Sequence, residues 1–331
     1  MMALAAGPTW FGVPLIELWF VALFLTLAMF LWLDGTNFGM GVLYGLSGDH
    51  ETRERILTAL APLWDGAEVW LVVFGGALFA VFPDVYGGLF SGYYLLMFAI
   101  LGALIIRGIS PEFLEQRDDQ AWRRAWSITF VLGSTLAPFF LGMFAANWLV
   151  GATSTITLPG IVVGLALVAL TTAEGTGFLG MKTAEGLDDS TKLYGQIAQV
   201  AYLVLAVVTV AYLHVAVEGM GSKTVHPFVL ALVGLTAILG LAYIYLLRAD
   251  YYRPAFIVSG IQLFGLVALV AVLLFPVIYP VTGLTVFEAA VSTLQLKMMT
   301  VVLAIFLPLV LLYFAVLYSS FAGPAEPAEG Y

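Results

Sequence analysis

The chain has no cysteine in 331 residues. That absence excludes disulfides, zinc–thiolate sites, iron–sulfur clusters and c-type haem attachment. Charge is scarce too. Asp, Glu, Lys and Arg make up 10% of the residues, against about 25% in an ordinary soluble domain. So few charges could not cover the surface of a soluble fold. Only 12 residues are Lys or Arg against 21 Asp or Glu, which excludes a nucleic-acid binder. No basic residue stands between Met1 and Pro14, so no cleaved signal peptide is expected. Strand-length alternation is also missing, which argues against a β-barrel.

What is present is apolar: 62% of residues are hydrophobic and the mean hydropathy is +1.03. The chain reads as an all-α, polytopic membrane protein. A helix crossing the hydrocarbon needs about 20 mostly apolar residues. Nine stretches qualify, over 15–33, 59–82, 86–106, 125–149, 156–180, 195–220, 226–247, 255–279 and 294–318. The first keeps its apolar character past Asp34-Gly35-Thr36-Asn37 to Leu46, which predicts a broken or extended helix. Placing the N-terminus outside puts ten of the twelve basic residues on inner segments: Arg53, Arg55, Arg107, Arg117, Arg123, Arg124, Lys182, Lys192, Arg248 and Arg253. Only Lys223 and Lys297 fall outside. This bias predicts an inside C-terminus. Residues 1–321 read as one integral membrane domain, and 322–331 as a short flexible tail.

Ionisable residues at membrane depth are expensive and are functional suspects by default. They are Glu17, Asp34, Asp65, Glu68, Glu174, His214, Glu218, Glu288 and Lys297. Asp34, Asp65, Glu68 and Glu174 gather in the inner half. Glu68 follows Asp65 on the same helix face, about 4.5 Å deeper at the rise of an α-helix. Such a series, with water between, would serve a proton path from the inner side. The plainer alternative is acids that hydrogen-bond across helices. His214 and Glu218 read as a satisfied helix-end pair. Glu17 and Lys297 lie near outer ends, where side chains reach water, and Glu288 lies in a solvated connection. Trp64 and Trp70 flank the carboxyl pair, and an indole N–H at that depth needs a partner. Gly66, Gly75 and Gly76 would let another helix approach closely.

Together these residues resemble subunit II of cytochrome bd-type quinol oxidases. Asp34-Gly35-Thr36-Asn37-Phe38-Gly39-Met40-Gly41 is similar to the family's D-G-F-D-x-G-x-G. Ala61-Pro62-Leu63-Trp64-Asp65-Gly66-Ala67-Glu68-Val69-Trp70-Leu71 is close to P-x-W-D-G-N-E-V-W-L. Gly75–Pro83, Phe90–Leu95, Arg107, Trp122-Arg123, Gly133-Ser134, Leu274–Pro276, Ser292–Leu296 and Leu312-Tyr313 follow in the expected order. The resemblance implies nine transmembrane helices, as two four-helix bundles plus one, in a prokaryotic cell (inner) membrane. It implies a partner, subunit I, that holds the haems b and d and the quinol-oxidising loop. This chain would bind no haem firmly, could hold a quinone in a structural role, and leaves room for a small accessory membrane subunit beside lipids. It also implies that Asp34 and Asp65 belong to a proton route feeding oxygen reduction. Glu68 joins them on the depth argument, with Asn37, Trp64, Gly66 and Trp70 in support. Two departures stand out. Asn37 replaces the second acid of D-G-F-D and cannot titrate, and Ala67 replaces the Asn beside the acids.

Two other readings are compatible with the same acids: a proton-coupled transporter, and a purely structural membrane subunit. A transporter is often marked by inverted repeats and paired broken helices, and here only the stretch near Asp34 suggests a break.

Overall fold

A computed structural model describes residues 7–60, 66–183 and 186–320. Two short strands, β1 (Thr9–Trp10) and β2 (Val13–Pro14), pair around Phe11-Gly12. Both turn residues have positive φ, as a tight hairpin requires. Helix α1 (Leu15–Leu46) follows, with 32 residues spanning about 48 Å at the α-helical rise. It is the extended form of the first span, unbroken through Asp34-Gly35. Its later half is enclosed by other helices, and Asp34 to Gly41 are all buried.

The next helices are α2 (His50–Leu60), α3 (Val69–Val81), α4 (Pro83–Gly92), α5 (Tyr94–Glu115), α6 (Gln120–Val150), α7 (Leu158–Lys182) and α8 (Asp189–Ala216). They are followed by α9 (Met220–Thr224), α10 (Pro227–Arg248) and α11 (Tyr252–Leu274). A second small hairpin, β3 (Val277–Tyr279) with β4 (Leu284–Thr285), leads to α12 (Val286–Ala289) and α13 (Thr293–Ser320). Side chains cap the starts as the sequence suggests. Asp119, Thr157 and Asp188 accept from the backbone N–H of Trp122, Gly160 and Thr191, satisfying donors that have no partner inside the helix.

Among the described residues, eight helices are long and apolar enough to cross a membrane, rather than the nine expected. The span expected over 59–82 is represented by α3, with 13 residues. At α-helical rise that is about 20 Å, short of a ~30 Å hydrocarbon layer. A turn at Gly66–Glu68 precedes it, and Phe82 leaves the helical region just before Pro83, as residues before proline tend to do. The span expected over 86–106 is also displaced. The backbone breaks at Tyr93, and α5 then runs on to Glu115, so Arg107 lies inside a helix and not in a connection. The span expected to reach 279 stops at Leu274, because Pro276 and β3 follow.

Helix α6 packs against α5 and α7, while α7 also meets α1, α8 and α11. Helix α10 packs on α8 and α11, and α1 has α3, α6, α7 and α11 as neighbours. The α1–α7 crossing is a backbone contact. A Cβ on Gly39 would lie 1.9 Å from the Thr171 carbonyl oxygen, and one on Gly175 would lie 2.6 Å from the Gly39 carbonyl carbon. Lipid tails are as apolar as leucine, so close packing, more than hydrophobicity, holds such helices together.

At the hairpin end, Trp148 Nε1 donates to the Ile278 carbonyl at 2.7 Å and the Tyr93 hydroxyl donates to that of Ala152 at 2.6 Å. Lys223 Nζ donates to the carbonyls of Leu273 at 2.6 Å and Phe275 at 3.3 Å, covering the end of α11. Burial pushes its ammonium pKa down. The outer faces of the spans remain apolar, with Val72, Phe98, Ile105, Ile238 and Leu241 exposed. A surface like this belongs in lipid or against another subunit.

Replacing Gly39 by Leu is expected to prevent α1 and α7 from closing. Overpacking alone costs about 1–3 kcal/mol, and here the obstacle is backbone. The check is the yield and melting temperature of the detergent-solubilised protein. A wild-type melting temperature would contradict the crossing.

Candidate functional site

Three elements bring charge together at one place. Arg107 lies in α5 after the apolar run Leu104-Ile105-Ile106 and is 2% exposed. Asp34, on α1, is fully buried. Arg107 Nη1 lies 3.0 Å from Asp34 Oδ1 and Nη2 lies 3.3 Å from Oδ2. Paired contacts of this kind suit the planar fork of a guanidinium. Nη2 also donates to Glu68 Oε1, from the residue that precedes α3. One turn beyond Asp34, Asn37 Nδ2 donates to Asp34 Oδ1 at 3.0 Å. The guanidinium sits over the Phe38 ring, 5.1 Å from its centroid.

Space for the arginine comes from α6. A Cβ on Gly133 would meet the Arg107 backbone nitrogen at 2.6 Å, so only glycine lets α5 lie this close. The exposure is graded: the Glu68 side chain is 43% exposed, while Asp34 has no exposure. A cavity of about 140 Å³ touches Arg107 and is lined also by Leu57, Leu60, Phe130 and the exposed Glu112 and Glu115. It is polar enough and large enough to hold a few waters. The arrangement is thus a guanidinium bridging two carboxylates, one inside the protein and one at its edge, beside a wettable space.

The other expected residues fall differently. Asp65 and Trp64 lie outside the described residues. Gly66 forms part of the turn before α3. Trp70 is buried, its Nε1 finds no acceptor among the described residues, and its ring lies 5.7 Å from that of Phe314. Gly75 and Gly76 have no other atom within 4 Å of a hypothetical Cβ, so the close helix expected there does not come from the described chain.

Glu174, on α7, is fully buried, and neither carboxyl oxygen has a hydrogen-bond partner among the described residues. Gly35 makes room for it, since a Cβ there would lie 2.6 Å from Glu174 Oε2. Among the described residues no hydrogen bond or ion pair joins it to the Arg107 cluster, so it stands apart from Asp34 and Glu68.

His214 does not pair with Glu218 as expected. Its Nδ1 lies 2.9 Å from the Thr224 hydroxyl, which α9 folds back against it. Glu17 is half-buried, and its Oε2 is buried with no hydrogen-bond partner among the described residues. Lys297 is half-buried. Glu288 is exposed and closes a capping box with Thr285, whose hydrogen bonds hold its carboxyl below the usual range.

Arg107 is the site residue that sequence reasoning placed in a connection. The available signal is that no proline stands beside it to end the helix, the first to follow being Pro111.

Fold and site define a multi-pass helical membrane protein with a buried charge cluster between its spans. The chain belongs to the family described as cytochrome bd terminal oxidase subunit II, whose model matches residues 15–321. It is therefore a subunit of a membrane-bound terminal oxidase. The chain is similar to cytochrome bd-I ubiquinol oxidase subunit 2 of Escherichia coli K12, with 26% identity over 91% of this chain and 92% of that one. It is also similar to cytochrome bd ubiquinol oxidase subunit 2 of Bacillus subtilis 168, with 27% identity over 89% and 92%. The solved structure of bd oxidase from Geobacillus thermodenitrificans shares the fold, with a TM-score of 0.74, 17% identity, and coverage of 93% of this chain and 99% of that one.

Two variants test the cluster. Arg107→Leu leaves Asp34 as a lone buried charge, and removing one partner from such a pair costs roughly 3–5 kcal/mol. The double variant Asp34→Leu/Arg107→Leu is expected to recover part of that loss in the melting temperature. Equal melting temperatures for single and double variants would dissolve the coupling. At Glu174, by contrast, Glu174→Gln removes no hydrogen bond between described residues and is expected to leave assembly and melting temperature unchanged or improved.

Proposed function

We propose that this chain is the haem-free subunit II of a quinol:oxygen oxidoreductase, paired with a haem-bearing subunit I. In this reading the chain lies with its N-terminus outside and C-terminus inside and is not catalytic alone. It delivers protons from the inner side toward the site where the partner reduces oxygen to water. Drawing those protons from inside while quinol releases its own outside generates the proton motive force.

The observation that carries the proposal is the bridge from half-exposed Glu68 through Arg107 to fully buried Asp34. An acid at the rim can exchange protons with water. An acid in the interior can pass them on only if its counter-charge moves or its hydrogen bonds rearrange. Asn37 would orient Asp34, since its amide already donates there. Asp65 belongs to the route on the strength of the resemblance, with Trp64, Gly66 and Trp70 in support. Exposed Glu112 and Glu115, beside the wettable cavity, are suited to collecting protons at the inner mouth.

For a quinone in a structural role, the suitable place is an apolar cleft of about 460 Å³ lined by Leu31, Val72, Gly76, Phe79, Trp148 and Val270. Its walls fit an isoprenoid tail. They offer a headgroup few polar contacts.

The test is oxygen consumption by the assembled oxidase carrying Asp34→Asn or Glu68→Gln, read beside its haem spectrum. Turnover is expected to fall by at least about tenfold, toward the range that positioned proton transfer contributes, with the haems retained. Unchanged turnover in both variants would leave the cluster a structural brace. Activity of the purified chain alone as a permease would favour the transporter reading.

A further inference from the structure

A second polar cavity, outside that cluster, lies where α1 ends and α6 begins. It holds about 730 Å³ and is walled by Tyr44 on α1, Arg53 and Leu57 on α2, Leu114 at the end of α5, and Arg123, Arg124 and Ser127 on α6. Its chemistry is divided. Ile128, Val131 and Leu132 make an apolar stripe that runs along α6 from the mouth toward the membrane interior. Arg53 on α2 and Arg123 and Arg124 on α6 line it together.

None of these arginines has an acidic partner among the described residues. Arg53 is held in place by a bond from its Nε to the Ser47 carbonyl at 3.1 Å and by the Tyr44 ring at 5.4 Å, which leaves its two terminal nitrogens free to donate. The acids in the cavity are Glu54 and Asp118. Glu54 is engaged by His50 at 3.2 Å. Next to these residues, Phe113, Trp122 and Trp126 form an aromatic group, with the Phe113 and Trp126 rings stacked 4.5 Å apart and Trp122 edge-on to Trp126. Aromatic groups of this kind mark the depth of lipid headgroups.

We propose that this cavity is a specific phospholipid site, with the phosphodiester between Arg53 and the Arg123–Arg124 pair and one acyl chain along Ile128, Val131 and Leu132. Three features favour that occupant over a soluble anion or a protein segment. The cationic groups converge from two walls, as a phosphate oxygen cluster requires. The apolar stripe continues from them in the direction an acyl chain takes. Basic pockets between transmembrane helices at a membrane face are suited to phospholipid headgroups. The site would bind α2 to α6.

The experiment uses the assembled oxidase in mild detergent. Native mass spectrometry counts retained phospholipids in the wild type and in Arg53→Gln/Arg123→Gln/Arg124→Gln. Because the chain has no cysteine, Ile128→Cys gives one reporter thiol on this subunit, whose maleimide labelling is followed after delipidation, with and without added phosphatidylglycerol in nanodiscs. The expected results are loss of one retained phospholipid in the triple variant, and labelling slowed about tenfold by saturating phospholipid. Leu132→Trp, which narrows the apolar stripe but keeps all three arginines, should also lose the lipid. An unchanged phospholipid count in the triple variant overturns the site. So does protection by inorganic phosphate as strong as that by phospholipid, which would make it an anion site only. A reporter shielded by the partner subunit whether or not lipid is present overturns it as well.

Discussion

The arrangement of the first half of the chain depends on one buried cation. A guanidinium out of water is costly unless its donors are met by charge, and Arg107 is almost wholly buried. Its demand is answered from two different elements, Asp34 on α1 and Glu68 before α3. Meeting it fixes the rotation of α1 and the height at which α3 begins. The demand also reaches α6, where Gly133 must lack a side chain for α5 to sit so close. The glycine crossing of α1 and α7 then holds the acid-bearing turn of α1 against the second half of the molecule.

Asp34 and Glu174 show how differently the same group can be accommodated in one membrane domain. Both are fully buried carboxyls. Asp34 has an arginine and an amide, so it can be charged at that depth. Glu174 has neither among the described residues, and its carboxyl lies against Gly35. Low dielectric strengthens a satisfied polar pair and penalises an unsatisfied group. Depth alone therefore does not make a functional acid. What distinguishes the candidate site is a partner whose charge can be shared between the interior and the edge.

Much of this was legible in the sequence. Composition placed the chain in a membrane, and most spans were located to within a few residues, because long apolar runs bounded by charge leave little freedom. Depth within the apolar run singles out Asp34. The misplacements have physical causes. The stretch 59–82 is continuously apolar enough to suggest one span, but the turn at Gly66–Glu68 and the break before Pro83 leave a short helix. Arg107 was assigned to a connection because an arginine ordinarily ends a span. Only the acids supplied from α1 and from the residue before α3 make it tolerable within one, and contacts between residues 73 positions apart have no local signature. His214 was matched to the nearest acid on its own helix, whereas α9 turns back and offers Thr224.

The departures at Asn37 and Ala67 acquire a meaning from the same geometry. An aspartate at position 37 would place a second negative charge one turn from Asp34, within reach of the single guanidinium that Glu68 already shares. With asparagine there, the amide donates to Asp34, and Arg107 has two anions to balance, not three. Ala67 is fully buried, so a polar amide in its place would need its own partners in a region where Trp70 Nε1 already lacks one among the described residues. The two substitutions act in one direction. They lower the number of polar groups that must be satisfied in this buried region.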